Sequence, residues 1–419
     1  MSVRAAVVLT AVAALCWVVH GITGSGDYQL GYPVLADNAA PAITALTHGQ
    51  LGRAAALQPL MGLVSLAWRA PFAAAAEGLG STAHVVYQVG ALACLLPVLG
   101  AAWWLAQRAL SIMQATAAVV AIALIAAGPI TSGALLLGHP EEVLTALLAS
   151  ASVICAGQDR RRCAAILLGL AVGTKPWALI AAPCVLLALP GRRVMPATLA
   201  AAVAAVTAGL LPVLDLTAYR TAGGYIGDVN FANPWTLWWP LSGRPLGARA
   251  TPAQLLPLGL TRTGAVAIVF VLAAAAISAY AWRTHKRRGG VNALALFCAL
   301  GLVRCLADPA PTGYYFAVIV IPLALWEAGV RRRLPVLAIF VSLVVHWLPD
   351  DFVAARNHGA LGLGAMNAVW LAGALALGVY LVRSAVGPRA AGGVADQLAG
   401  RASGWRGSPS SGTGSHAAA

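Results

Sequence analysis

Charge is what this sequence lacks. Only 10% of its 419 residues are Asp, Glu, Lys or Arg, against roughly a quarter in an ordinary soluble domain, while 60% are hydrophobic and the mean hydropathy is +0.80. That deficit excludes a water-soluble globular protein. Acids are the scarcer sign: 13 carboxylates against 27 Lys and Arg leave a net charge of +14. The basic residues stand in short clusters between apolar runs, where orientation in a membrane accounts for them, so nucleic acid is not an expected partner. Cysteine is sparse and without metal-type spacing. The seven, Cys16, Cys94, Cys155, Cys163, Cys184, Cys298 and Cys305, lie in or at the edges of apolar runs and read as small buried hydrophobes. No A-x-A cleavage pattern follows the first run, 5–19, and Cys16 is preceded by Leu15, so this run reads as an uncleaved first membrane helix rather than a leader.

What is present is a recurrence of apolar stretches near the ~20 residues that cross a bilayer. Between them lie basic clusters at 159–162, 192–193, 283–288, 331–333 and from Arg383 onward, all of which the positive-inside rule places in the cytoplasm. The run 163–190 is interrupted by Thr174, Lys175 and Pro176. As a single crossing it would put every later cluster outside; as a hairpin of two short helices, with Lys175 at the outer turn, it keeps Arg4 and all clusters inside. Each arm is then about a dozen residues, roughly 18 Å against a core of about 30 Å, so the tip belongs in a thinned or wet region opening outward.

The resulting expectation is an all-α, polytopic integral membrane protein with about twelve transmembrane helices, between roughly ten and thirteen. They lie near 5–23, 82–106, 112–137, 142–157, the two hairpin arms, 194–214, 263–282, 291–307, 314–330, 334–348 and 359–382. Both termini are expected in the cytoplasm. Residues 1–386 form one membrane domain, with outer loops near 24–81 and 215–262. The apolar stretch 57–76, broken by Pro59, Arg69 and Pro71, reads as lying on or dipping into the outer face. Residues 387–419, rich in Gly, Ser, Ala and Arg, read as a disordered cytoplasmic tail.

On this map ten of the 13 carboxylates face outward. Five outer places gather polar or aromatic side chains, all but one of them with a carboxylate; the last, Asp350, Asp351, Arg356, Asn357 and His358, is explained equally well by a solvated loop. Asp37 and Asn38 follow the first helix; a carboxylate there can accept a proton from a hydroxyl or simply cap the helix that starts at Ala39. His139, Glu141 and Glu142 flank Pro140, an ordinary helix start that also, with Lys175 on the next outer turn, makes a mixed acid and base cluster fit for a phosphate or a sugar. The spacing is not that of a strong metal motif, and no metal or other cofactor is expected. Trp235, Trp238 and Trp239 suit a membrane interface, or a face on which a sugar ring packs. Asp308 and Pro309 precede paired Tyr314 and Tyr315 at a helix start.

Together these residues resemble the membrane glycosyltransferases of the GT-C type, within them the actinobacterial polyprenyl-phosphate-mannose-dependent mannosyltransferase group. The likeness rests on Asp37 followed by Ala45, Leu46, Gly49 and Gln58 to Leu60; on Gly138 to Glu142; on Gly169 to Ala171 with Lys175 and Pro176; and on Asp308, Pro309, Tyr314 and Tyr315. It implies transfer of a sugar, mannose first, from a polyprenyl-phosphate-linked donor to a glycan or glycolipid acceptor outside the cell membrane. Asp37 would be the base of an inverting displacement, with Asn38, His139, Glu141, Glu142, Lys175, Trp235, Asp308, Tyr314 and Tyr315 binding substrate. Where the superfamily has a carboxylate pair this chain has Asp37 and Asn38, and Asp27 is a rival base. A transporter or lipid-carrier flippase is the alternative class, because a broken helix with a charged residue at mid-depth also builds carrier sites.

Overall fold

The apolar runs fold as helices, and the breaks between them fall at proline, glycine and charge. The computed structural model describes residues 39–58, 62–81, 83–191, 193–227, 231–242, 254–288, 291–356 and 359–386, with scattered helical residues between 6 and 15. In chain order these form α1 (Ala39–Thr47), α2 (Leu51–Leu57), α3 (Leu63–Gly78), α4 (Ala83–Ala93), α5 (Pro97–Ala106), α6 (Ile112–Ala127), α7 (Pro129–Leu136), α8 (Pro140–Gly157) and α9 (Arg161–Thr174). After these come α10 (Ala182–Ala188), α11 (Val194–Leu214), α12 (Leu216–Gly227), α13 (Arg262–Arg288), α14 (Ala293–Ala307), α15 (Ala317–Leu325), α16 (Val336–Arg356) and α17 (Gly359–Val386). A small antiparallel ribbon, β1 (Phe231–Ala232) on β2 (Gln254–Leu255), pairs Phe231 with Leu255.

Among the described residues seven helical stretches are long and apolar enough to cross a bilayer: Val85–Ala106, Ile112–Leu135, Pro140–Gly157, Val194–Leu214, Arg262–His285, Gly313–Val330 and Leu361–Val386. Three shorter apolar helices, Pro176–Ala188, Ala293–Ala307 and Val336–Leu348, pack among them. The chain is therefore an all-α protein built on membrane-length helices. Most of the first expected helix and the whole of 387–419 lie outside the described residues.

α9 stops at Thr174 because Pro176 disfavours helical backbone at the residue before it, and Lys175 is accordingly extended (φ −145°, ψ 128°). A 3-10 turn, Pro176–Ala181, and α10 then lead the chain back to its starting level. There Gly191 faces the first residue of α9, so that a Cβ on it would lie 3.4 Å from the Arg161 guanidinium. The segment is a hairpin with Lys175 at its tip.

The basic clusters meet at the end of the bundle away from that tip. Arg193 is 3.5 Å from His285 and lies 4.8 Å from the Trp282 ring. Asn292 donates its backbone N–H to the carbonyl of Ala385 (2.7 Å), and Arg333 donates to the Tyr380 hydroxyl (3.1 Å). Arg108 stacks on Trp104 at 4.2 Å, and Trp104 in turn packs on Gly329, two residues before Arg331. One end of the helix bundle thus carries Arg108, Arg161, Arg193, His285 and Arg331 to Arg333.

The hairpin tip stops short of the opposite end. α9 rises beside α11 on two glycines spaced as Gly-x-x-x-Gly: a Cβ on Gly169 would run into Val203, and one on Gly173 into Thr207. Small residues at this spacing let membrane helices approach to backbone distance. α11 continues seven residues past Thr207, to Leu214, about five of them beyond the level of Lys175, which leaves the tip recessed by roughly 7 Å. The segment that leads into α3 fills the recess. Its Gly62 sits directly on the carbonyls of Gly173 and Thr174, and α3 climbs from there against α4, with the Trp68 indole donating to the Ala93 carbonyl (2.8 Å). The stretch expected on or dipping into the outer face thus packs one side against α4 and the hairpin, while Ala67, Pro71, Phe72, Ala74 and Ala75 stay exposed. Arg69, which reads in sequence as an interruption, is wholly buried (0% exposed) with its guanidinium 4.8 Å from the Tyr87 ring.

Because the clash at Gly62 is with backbone, Gly62→Ala is expected to destabilise by at least the ~1–3 kcal/mol typical of overpacking. Gly100→Ala, on a helix with nothing within 4 Å of the new methyl, should leave stability unchanged or slightly higher. Thermal unfolding of the detergent-purified variants checks both; equal midpoints would refute the packed loop.

Candidate functional site

α7 ends in a left-handed Gly138 (φ 75°), which turns the chain so that His139 donates its backbone N–H to the Ala134 carbonyl (2.7 Å) and Pro140 opens α8. Glu141 and Glu142 fill the first turn of α8, where the helix dipole favours acids. Ordinary helix-start acids are solvated; these two are 0% and 2% exposed.

Their partners come from the cap of the same helix and from two other segments, the hairpin and α14. The Lys175 ammonium at the hairpin tip lies 3.0 Å from Glu141 Oε1 and 3.7 Å from Glu142 Oε1. His139 Nδ1 is 3.0 Å from the same Glu141 oxygen. Trp177, two residues past Lys175, donates its indole N–H to Glu142 Oε2 (2.8 Å), and Arg304 Nη2 approaches that oxygen at 3.9 Å. Arg304 sits in the last turn of α14, between the Trp177 ring (5.1 Å) and the Tyr315 ring (4.4 Å), and donates to the Tyr315 carbonyl (3.3 Å).

A second ion pair adjoins the first. Asp308, which ends α14, takes a two-pronged contact from Arg262, Nε to Oδ1 at 2.9 Å and Nη2 to Oδ2 at 2.6 Å, the geometry that makes Arg and carboxylate a strong pair. The same Nη2 donates to the Tyr315 hydroxyl (3.2 Å). Tyr314 stacks on His139, ring centres 4.6 Å apart and 23° from parallel, and meets Tyr315 edge-on at 5.0 Å. The structure therefore brings His139, Glu141, Glu142, Lys175, Asp308, Tyr314 and Tyr315 into one connected cluster at the end of the bundle opposite the basic clusters.

Trp235 lies alongside rather than within it. Its indole donates to the Pro311 carbonyl (3.2 Å) and its own carbonyl accepts from Trp370 (2.7 Å), while Trp238 donates to the Ala307 carbonyl (2.8 Å). These tryptophans hold the 231–242 loop onto the chain on either side of Asp308, at Ala307 and Pro311. Asp27, Asp37 and Asn38 lie outside the described residues. Ala40 and Pro41, soon after Asn38, line a cavity of about 590 Å³ together with His48, Arg53, Glu77 and Tyr87. The Tyr87 hydroxyl donates to the Gly138 carbonyl (3.4 Å), one residue from His139.

Sequence reasoning missed Arg69, Trp177, Arg262 and Arg304. Arg304 carried a usable signal, since an ionisable residue inside the apolar run 293–307 has to find a partner. Arg262 passed for a loop residue at a helix start. Among the described residues no three His, Cys, Asp or Glu side chains are arranged to hold a metal. Chemically, the arrangement offers cations fixed in place by carboxylates, able to stabilise negative charge that appears on a substrate. Comparison with known protein families, with curated proteins and with solved structures finds no match.

The buried pair yields a double-mutant test. Lys175→Met leaves two buried carboxylates short of a cation and should cost roughly 3–5 kcal/mol, whereas Lys175→Met combined with Glu141→Gln should recover much of that loss. Unfolding midpoints that fall further in the double variant would contradict the pairing.

Proposed function

We propose that this chain is a membrane glycosyltransferase of the GT-C kind. It transfers a sugar, mannose first among the candidates, from a polyprenyl-phosphate carrier to a hydroxyl of a glycan or glycolipid on the outer side of the cell membrane. In this reading the basic end of the bundle is cytoplasmic, the chain crosses about twelve times with both termini inside, and the His139 to Tyr315 cluster faces outward. The observation that supports it is the convergence of Lys175 and Arg304 on buried carboxylates beside the stacked rings of His139 and Tyr314.

The chemistry asked of the site is an inverting displacement. The acceptor oxygen forms a bond to C1 of the sugar as the bond from C1 to the carrier phosphate breaks, and the acceptor proton passes to a carboxylate. Asp37 is the proposed base. The departing phosphate gains charge, and Lys175 or Arg304 is the proposed counter-charge, with Glu141 and Glu142 acting as positioning residues that hold both cations. The His139 and Tyr314 rings supply a flat wall of the kind a sugar face packs on. A carrier for a lipid-linked sugar is the second reading, favoured by the helix break at Lys175; it predicts movement of the substrate without cleavage.

A positioned general base contributes roughly 10²- to 10⁴-fold in rate, whereas a helix cap contributes about 1 kcal/mol of stability. Asp37→Asn should therefore insert and unfold near normally yet release almost no sugar from a polyprenyl-phosphate donor, while Asp27→Asn stays active. Retention of more than about a tenth of the turnover by Asp37→Asn would remove it as the base, and no cleavage by the unaltered protein would favour the carrier.

A further inference from the structure

At the basic end, the turn that joins α8 to α9 brings two cysteines together. Asp159 takes a left-handed conformation (φ 56°) and accepts from Arg161 Nε (2.7 Å), which folds the chain sharply back. Just above the turn, the Ser152 hydroxyl donates to the Ala164 carbonyl (2.7 Å) and fixes the two helices side by side. Cys155 on α8 and Cys163 on α9 consequently face each other with their Sγ atoms 3.2 Å apart. A disulfide needs about 2.05 Å, an approach of about 1.2 Å with no intervening atom. Cys163 is exposed and Cys155 half-buried, whereas Cys94, Cys184, Cys298 and Cys305 are buried, so among the described residues this is the accessible thiol pair. Arg160, Arg161 and Arg162 precede Cys163 and favour the approach of an anionic reagent.

We infer that Cys155 and Cys163 are a site of thiol–disulfide exchange, taking an anionic low-mass disulfide of the glutathione type and closing to an internal disulfide that bonds α8 to α9. Cys163 sulfur attacks one sulfur of the reagent and expels a first small thiol, leaving a mixed disulfide on Cys163. Cys155 sulfur then attacks Cys163 sulfur and expels a second. The protein loses two electrons and two protons; the reagent gains both and leaves as two thiols. The bond would fix the register of the two helices whose far ends present Glu141 and Glu142 on one side and Lys175 on the other.

Counting maleimide additions by intact mass, after glutathione disulfide treatment of the folded detergent-purified protein and then denaturation, tests the site. Untreated chain should take one maleimide on each of its seven cysteines. Treated chain should take two fewer, with a mass lower by two hydrogens and a thermal midpoint raised by several degrees, both reversed by dithiothreitol. Cys155→Ser and Cys163→Ser should each take one fewer than the unaltered chain, and treatment should not close an internal bond in either. An unchanged count in the unaltered chain, accumulation of the mixed disulfide alone, or loss of two further additions in either variant overturns the assignment.

Discussion

A lysine ammonium recessed at the end of a helix bundle that lies away from its basic clusters is the constraint around which this protein is built. On insertion scales a bare lysine at mid-membrane costs at least ~2.5 kcal/mol, and Lys175 sits at the tip of a hairpin whose first arm, at 14 residues, ends short of the neighbouring α11. Its charge is tolerable because α8 starts beside it. The first turn of that helix supplies Glu141 and Glu142, and those two buried carboxylates need more than one lysine between them. His139, Trp177 and Arg304 make up the difference. Arg304 in turn sits on the faces of Trp177 and Tyr315, and Tyr315 accepts from Arg262, which Asp308 holds. Each partner brought in to satisfy one charge requires the next, and the chain of contacts joins α8, the hairpin, α13 and α14.

Close backbone packing is the second requirement, and glycine meets it. Gly169 and Gly173 let α9 lie against α11, and Gly62 lets the segment before α3 reach the hairpin tip. Ala-rich helices with few polar atoms supply no strong glue of their own in lipid, where association depends on fit. The stacked order is loop, tip, acidic helix start. It puts the loop backbone at Gly62 against the carbonyls of Gly173 and Thr174, just before Lys175, and two carboxylates beside the Lys175 ammonium.

The sequence was most legible where topology and charge speak together. The positive-inside argument required a hairpin at Lys175, and Pro176 marked the turn; once those were fixed, the ends of α8 and α14 had to share a side with it, so the sequence put His139, Glu141, Glu142, Asp308, Tyr314 and Tyr315 on one side, and only family likeness joined them into one site. Pairwise detail was illegible. Nothing in the run 293–307 says that Arg304 points at Glu142 rather than toward a water-filled cavity, and Arg69 among small apolar residues looks interfacial until α4 is seen to cover it. The tryptophans of the 231–242 loop illustrate a different gap: indole suits an interface, but their N–H groups meet carbonyls of residues 307 and 311, a pairing of distant segments that no local pattern encodes. Gly169 entered through family likeness and Gly173 not at all, although Gly-x-x-x-Gly is a spacing at which membrane helices approach closely.

The central claim is that the ionic cluster and the basic clusters lie on opposite sides of a membrane, the cluster outward. Its most direct test is labelling with a membrane-impermeant maleimide in intact cells, using Leu79→Cys, exposed beside Glu77 at the cluster end, and Gln107→Cys, exposed next to Arg108 at the basic end, each in a Cys163→Ser background. Leu79→Cys should label in intact cells and Gln107→Cys only after the membrane is opened. The reverse pattern, or equal labelling of both in intact cells, would contradict the account.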